Sequence, residues 1–589
     1  MKQKRNLIIL TVGICFMLSG CASIFVEQAE NIIPVQCPAP QDDTSLKERE
    51  TALPQEEPAP ADGPVHLLIE RKISHDLALE PVLQGDPIFQ NPKVLAAFYS
   101  RQAWRPVWFQ NGTPLPSIAK LLEVIAKAED EGLSPHDYHY DTITNIFCSA
   151  KESSSPLPTE LIADLDILLT DAYQSYASHL LWGKSKRGKE FAQSSTANGD
   201  IPQPPFLEKI PEASQLEEAF ASFIPPHPEY ARLKQVLIRY RQIEAEEGWP
   251  VITGKTLAKG SKGDHVASLK KRLHLTGELE EIIPEHENHF DAELEHAVRL
   301  FQKTHKLKEN GIANAETLKL MNVPVAKRIQ QLRLDMERWR WMPRDLDRYI
   351  LVDIPDFSMK VIEDGKTALQ MKTVVGKTKH PTPTFSGRMS TIELNPHWNV
   401  PVSIIRNEIV PETKRDPSYI ARHRIKIYQD WRHKSQEILP EDIEWDKINA
   451  QKFSYRLVQD PGAHNSLGRV KFLFPNVHDI YMHDTPSRSL FKRKERAFSH
   501  GCIRLEHPVD LAEHLLKDDH HWNRKQIQKM IGTGKHTRIA LKNPIPVYIT
   551  YFLVEVDDSG YPYFRKDFYE YNRLLEKEMN RPSKFKGNK

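Results

Sequence analysis

An excess of charge of either sign is what this chain lacks most clearly. Its 589 residues include 80 lysines and arginines against 79 aspartates and glutamates, for a net charge of +1. A general nucleic-acid binder would show a basic excess or stripe, so no nucleic-acid partner is expected. Cysteine is sparse as well, and Cys15, Cys21, Cys37, Cys148 and Cys502 are spaced as neither a disulfide framework nor a zinc site. His286, His289, His296 and His305 occur without any helical His-Glu-x-x-His arrangement and read as a solvated surface, so no metal is expected. The apolar run from Leu7 to Leu18 is too short to span a bilayer comfortably. Hydrophobic residues still make up 40% of the chain, enough to bury substantial cores, and the length calls for several domains.

The first segment that is present is a targeting one. Met1-Lys2-Gln3-Lys4-Arg5 is a positive stretch, and the apolar run behind it ends in Leu18-Ser19-Gly20-Cys21. Residues 1–20 resemble the signal peptide of bacterial lipoproteins, which implies a lipid anchor on Cys21. Ala22 after it implies sorting to the outer membrane of a Gram-negative bacterium. The other reading is an ordinary secretory signal with an incidental cysteine. Either one exports the mature protein, here to the periplasm. Export leaves Cys37, Cys148 and Cys502, an odd number, so at least one free thiol is expected in an oxidising compartment. A free thiol retained there is a candidate nucleophile. Cys148 reads as a core or surface residue, and Cys37 as part of a linker.

The expected fold is multidomain α+β. Residues 21–64, rich in Pro, Glu, Asp and Gln, read as a disordered tether. Residues 65–255 carry helical periodicity, as in Ile118, Leu121, Leu122 and Ile125, and read as a helical scaffold domain. Residues 256–323 place Val266, Leu269 and Leu273, then Leu294, Val298 and Phe301, at helical spacing, with a turn through Gly311. This unit resembles the three-helix peptidoglycan-binding domain, although Asn310-Gly311-Ile312-Ala313-Asn314 departs from the usual turn, which leaves glycan binding open. A linking helix follows within 324–345. Short strands bounded by Gly, Pro, Asn and Asp then predict a mostly-β, sandwich-like domain over 346–556, with a polar insertion at about 411–455 and a tail over 557–589.

The chemistry concentrates near the end of that domain. A cysteine nucleophile needs a base or a positive field, and its acyl product needs donors for an oxyanion. His483 ends a predicted strand, and a 15-residue loop leads to Ser499-His500-Gly501-Cys502. Such a loop can return the chain to the same sheet end, and Gly501 permits a tight turn there. His500, two residues before Cys502, would share its face if the piece is extended. Arg488, Lys492, Arg493, Lys494 and Arg496 in the loop form a basic segment that could steer carboxylate-rich substrates and favour the thiolate, or simply face solvent.

His483, Ser499, His500, Gly501, Cys502, Ile503 and Arg504 complete a motif that resembles the YkuD family of L,D-transpeptidases. Asn395 to Pro401, Asn465 to Phe472 and Tyr481 to Pro486 extend the likeness to the large YcbB-type members. The resemblance implies Cys502 as nucleophile, His483 as general base oriented by the Asp484 carbonyl, and an oxyanion hole of the Gly501 and Cys502 amides. Ser499 and His500 would shape the site. Arg504 would hold either the loop or a substrate carboxylate, while Tyr481, Trp398 and Asn399 would line the donor pocket or belong to the core. The implied reaction is a two-step acyl transfer between peptidoglycan stem peptides that makes 3→3 cross-links and needs no cofactor. Carbapenems should then acylate Cys502. An L,D-carboxypeptidase, a transpeptidase with another amine acceptor and a non-catalytic wall-binding lipoprotein are the alternatives.

Overall fold

The structure is a computed structural model that describes residues 65–74, 92–153, 157–188, 191, 209–254, 256–345, 347–432 and 435–580. The leader, Cys21, Cys37 and the tether lie outside the described residues. Among the described residues, no helix is long and apolar enough to cross a membrane. The chain divides into two compact units, one formed mainly by residues up to 180 together with 203–224, the other by 181–202 and 225–580.

The first unit is helical and is organised on the helix Thr159–Trp182, buried continuously from Ile162 to Ala177. A helix enclosed on every side must also satisfy its polar residues. Asp166 does so by accepting the N–H groups of Val107 (3.0 Å) and Trp108 (2.8 Å) and the hydroxyl of Tyr99 (2.6 Å). Cys148, expected as a core or surface residue, is disulfide-bonded. Cys502 is the free cysteine among the described residues.

In the second unit, the peptidoglycan-binding-like segment forms the three helices Asp264–Thr276, Ala292–Thr304 and Ala315–Met321 around Val266, Leu269, Leu294, Val298 and Phe301. Its atypical turn holds because the Gln302 side chain accepts the N–H groups of Asn310 (3.0 Å) and Gly311 (2.9 Å) and donates to the Ile312 carbonyl (2.9 Å). His305 is not a solvated surface residue, since its ring stacks on Phe301 at 3.8 Å. Among the described residues, no group of three His, Cys, Asp or Glu is placed to hold a metal. The helix Pro228–Ala245, expected in the scaffold, belongs to this second unit and packs on the helix Val325–Arg340. The latter is the expected linking helix, and its charges Arg328, Asp335, Glu337, Arg338 and Arg340 are buried. Asp335 accepts the N–H of Leu553 (2.6 Å), and Glu337 accepts that of Ser185 (2.8 Å).

The β domain comprises β1 (Arg348–Asp353), β2 (Ser358–Glu363), β3 (Lys366–Gly376) and β4 (Phe385–Leu394), then β5 (Trp398–Asn399), β6 (Ile425–Tyr428), β7 (Glu437–Ile438) and β8 (Arg456–Gln459). It continues with β9 (Val470–Leu473), β10 (Met482–His483), β11 (Ala497–Ser499), β12 (Ile503–Leu505) and β13 (Thr537–Thr550). One sheet runs β11-β3-β12-β10-β9-β4-β13-β1-β2, and β2 also pairs with β3. That extra pairing closes the strands into a ring, so the expected sandwich is replaced by a continuous, barrel-like sheet. Its interior holds Ile350, Val352, Ile392, Phe472, Met482 and Ile503.

The remaining strands form a separate sheet, β5-β8-β6-β7, with its own core of Val400, Ile405, Ile409, Ile427, Trp445 and Leu457. The insertion therefore runs from Trp398 to Gln459, wider than the expected 411–455, because its flanking strands pair with each other. The described part of the expected tail, residues 557–580, is folded as well. Val554–Val556 and Pro562–Phe564 form a hairpin, and Tyr551, Phe568, Tyr569 and Tyr571 pack ring against ring.

Candidate active site

Parallel neighbours β10 and β12 pair Met482 with Ile503 and His483 with Arg504. Met482 and Ile503 point into the core, so strand alternation turns Tyr481, His483, Cys502 and Arg504 to the opposite side. The 15-residue loop thus brings base and thiol to one face of adjacent central strands. His483 is 5% exposed, and its Nδ1 lies 2.5 Å from the carbonyl oxygen of Asp484. A carbonyl only accepts, so Nδ1 carries the proton and Nε2 keeps the lone pair. Asp484 is held in turn by the N–H groups of Arg469 (2.8 Å) and Thr485 (2.7 Å) and by Arg488. Gly468, at φ +63°, is required there because any Cβ would collide with the Asp484 carboxyl.

Burial, then the positive charges of Arg504 and Lys471, push the His483 imidazole down to about 3, against the pull of the Asp484 and Leu467 carbonyls. Burial likewise pushes the Cys502 thiol above its usual value, although Tyr481, Lys471 and Arg504 pull the other way. Lys471 and Arg504 favour the thiolate, but desolvation is the larger effect. The resting pair is therefore a neutral thiol beside a neutral imidazole. Alkylation of Cys502 by iodoacetamide should accordingly rise with a single inflection above the ordinary thiol range and show no step near pH 6.5. A reactivity plateau between pH 4 and 8, as for a thiolate–imidazolium pair, would contradict this.

The loop around the thiol is tightly tied. Gly501 adopts φ +116°, which ends extended geometry at that residue, so His500 and Cys502 do not alternate as on a strand. Ser499 Oγ accepts the Gly501 N–H (3.1 Å) and donates to the Cys502 carbonyl (2.5 Å). The Gly501 amide is thereby already engaged, which corrects the expected two-amide oxyanion hole. The Cys502 N–H has no partner among the described residues and remains the backbone donor. Its orientation is set from behind, where buried Thr382 donates to the Gly501 carbonyl at 2.7 Å. Thr382 Oγ1 accepts the Gly376 N–H (2.9 Å), and Tyr569 donates to the Gly376 carbonyl. In a trans peptide the N–H points opposite the C=O, so this tie turns the Cys502 N–H towards the front of the loop.

With this geometry in view, three family matches divide the chain: "Scaffold domain" at residues 93–237, "Putative peptidoglycan binding domain" at 262–321 and "L,D-transpeptidase catalytic domain" of the YkuD family at 347–548. The chain carries a YkuD-family L,D-transpeptidase domain. A Haemophilus influenzae protein named "Putative L,D-transpeptidase" is 33% identical over 258 residues, which is 43% of this chain and 51% of that protein. The chain thus spans about half the length of that curated relative. An L,D-transpeptidase from Mycobacterium smegmatis is 12% identical, over 35% of this chain and 58% of its own, with a TM-score of 0.16. That from Xylanimonas cellulosilytica is 14% identical, over 51% of this chain and 98% of its own, also at 0.16. At such scores the assignment rests on the domain matches.

Within the transpeptidase domain, the hydroxyl and the backbone amide of Tyr481 both favour the Cys502 thiolate, and Trp398 in turn favours the ionised form of the Tyr481 hydroxyl. Lys471, register partner of His483, stands 4.3 Å from the Tyr481 ring. Trp398 packs on the insertion's core, so it joins the insertion to the thiol's surroundings. Asn399 lies exposed on β5 and makes no side-chain hydrogen bond to the site among the described residues. Arg504 sits beside His483, and its buried Nε has no hydrogen-bond partner among the described residues. The basic loop is partly consumed, since Arg496 donates to the carbonyls of Thr373 (3.1 Å) and Phe357 (3.0 Å). His500 turns to Glu408 of the insertion and to Lys377 (3.2 Å). Glu408, Lys377, Thr382 and Tyr569 went unforeseen; they are ordinary residue types lying far from the motif, so no local signal marked them.

Proposed function

We propose that the chain is a peptidoglycan L,D-transpeptidase that works through a Cys502 thioester and forms 3→3 cross-links. The observation that carries this reading is the placing of His483 and Cys502 on one face of adjacent strands, with the imidazole tautomer set by Asp484. In the first step the Cys502 proton passes to His483 Nε2 as sulfur attacks the carbonyl at the L-centre of meso-diaminopimelate in a donor tetrapeptide. The Cys502 N–H meets the developing oxyanion. The C–N bond then breaks, and D-Ala leaves with the proton returned by His483. In the second step an amine of another stem attacks the thioester, a C–N bond forms, the C–S bond breaks and the thiol is restored. The unpartnered Arg504 Nε supports a role in holding a donor carboxylate.

The same reading makes the protein a periplasmic lipoprotein anchored through Cys21 in the outer membrane. The disulfide at Cys148 supports an oxidising compartment. Purified protein incubated with disaccharide-tetrapeptide should yield cross-linked tetrapeptide–tripeptide dimers by mass spectrometry. Disaccharide-tripeptide alone would make the enzyme an L,D-carboxypeptidase, and unchanged substrate would favour a non-catalytic wall-binding protein.

A further inference from the structure

Two residues before Cys502, four titratable side chains meet outside the His483 site. Glu408 Oε1 is bonded by His500 Nε2 and by Lys377 Nζ at 3.2 Å. Lys377 Nζ lies 3.2 Å from His500 Nε2, and the His380 ring stands 5.1 Å from that of His500. The cluster is rigidly mounted. Lys377 follows β3 and its N–H donates to the Ser499 carbonyl at 2.9 Å, while Ile405 and Ile409 anchor the Glu408 turn in the insertion's core. Burial raises the Glu408 carboxyl, yet the bonds from His500 and Lys377 outweigh it and hold the group below its ordinary range, hence ionised.

Ion pairs that serve the fold of this unit look different. Asp335–Arg338 and Glu337–Arg340 have side chains at most 4% exposed, and their carboxylates also take backbone N–H groups. Lys377, Glu408 and His500 keep 27–39% of their side-chain surface, and Glu408 takes no backbone N–H among the described residues. A solvent-open set of one carboxylate, one ammonium and two imidazoles, one of them two residues from Cys502 in the chain, can exchange its internal bonds for those of a ligand.

Resting on the transpeptidase reading above, we propose that Glu408, Lys377, His380 and His500 form the acceptor subsite, which recognises an amino-acid centre bearing an ammonium and a carboxylate on one carbon. Glu408 receives the ammonium, and Lys377 with His380 receives the carboxylate. The ammonium gives one proton to the Glu408–His500 pair, and its freed lone pair attacks the thioester carbonyl. The C–S bond then breaks, and the Cys502 thiolate takes the second amine proton. The insertion thus supplies one wall of the acceptor site.

The test measures the two half-reactions separately on the full chain, using Glu408→Gln, Lys377→Met and Glu408→Asp. Acylation is followed as the first-turnover burst of D-Ala and of intact-mass adduct after rapid mixing with tetrapeptide, and aminolysis by dimer formation at increasing concentrations of a meso-diaminopimelate tripeptide. Loss of one charge-assisted contact should raise the acceptor KM about ten- to a hundredfold in the Gln and Met variants. Acylation should stay within a few-fold, products should shift towards hydrolysis, and Glu408→Asp should recover part of the loss. Retained acylation certifies that each variant is folded. Parallel loss of both half-reactions, as for a purely structural latch, or an unchanged acceptor KM, would overturn the subsite. Wild-type protein that is never acylated would instead overturn the reading it rests on.

Discussion

Replacing Cys502 by alanine is expected to reduce turnover of a tetrapeptide donor by about 10^4- to 10^6-fold, the range for removing a nucleophile that acts as a unit with its base. The residue is half-buried at the turn between β11 and β12 and packs at the margin of the core, so trimming one sulfur atom should leave the fold intact. Retained thermal stability with lost activity is the signature to look for. Activity persisting within tenfold of wild type would place the chemistry elsewhere. Because the thiol is held neutral by burial, no pre-formed thiolate is available, and everything depends on transferring its proton at the moment of attack.

That dependence makes His483→Gln the second large effect. A glutamine amide can still face the Asp484 carbonyl, but it has no lone pair basic enough to take the thiol proton. Acylation, followed as the first-turnover release of D-Ala from a tetrapeptide donor, should fall by about 10^2- to 10^4-fold at neutral pH. The deficit should shrink as pH rises and solvent deprotonates the thiol. With an imidazole pushed down to about 3, the wild-type enzyme should show no loss of acylation between pH 8 and 5 from protonation of this base. A variant with wild-type acylation at pH 7 would show that His483 is not the base.

How much of this was legible in the sequence follows from how local each feature is. Cys502, His500, Gly501 and Ser499 are contiguous, and His483 stands one loop away, so spacing and residue type suffice to find them. The Asp484 carbonyl contact is equally local. The tie through Thr382 to the Gly501 carbonyl joins positions 119 residues apart, and Glu408 meets His500 across 92. A lone threonine or glutamate carries no mark of such a meeting. The closing pair β2–β3 depends on partner choice, which strand patterning does not specify, and hence a sandwich was expected where a ring forms. The helix Val325–Arg340 was legible as a linking helix, but not the use of its charges, which take backbone N–H groups of segments far away in the chain. The electrostatics of the thiol needed the structure too, since burial and not the sign of its neighbours decides its state.

The most direct measurement is the intact mass of the protein during turnover of disaccharide-tetrapeptide. A thioester on Cys502 predicts a transient adduct equal to the donor minus D-Ala, mapped by peptide digestion to Cys502 and missing in Cys502→Ala. Turnover with no such adduct under rapid quench, or the same adduct on the alanine variant, would contradict the account.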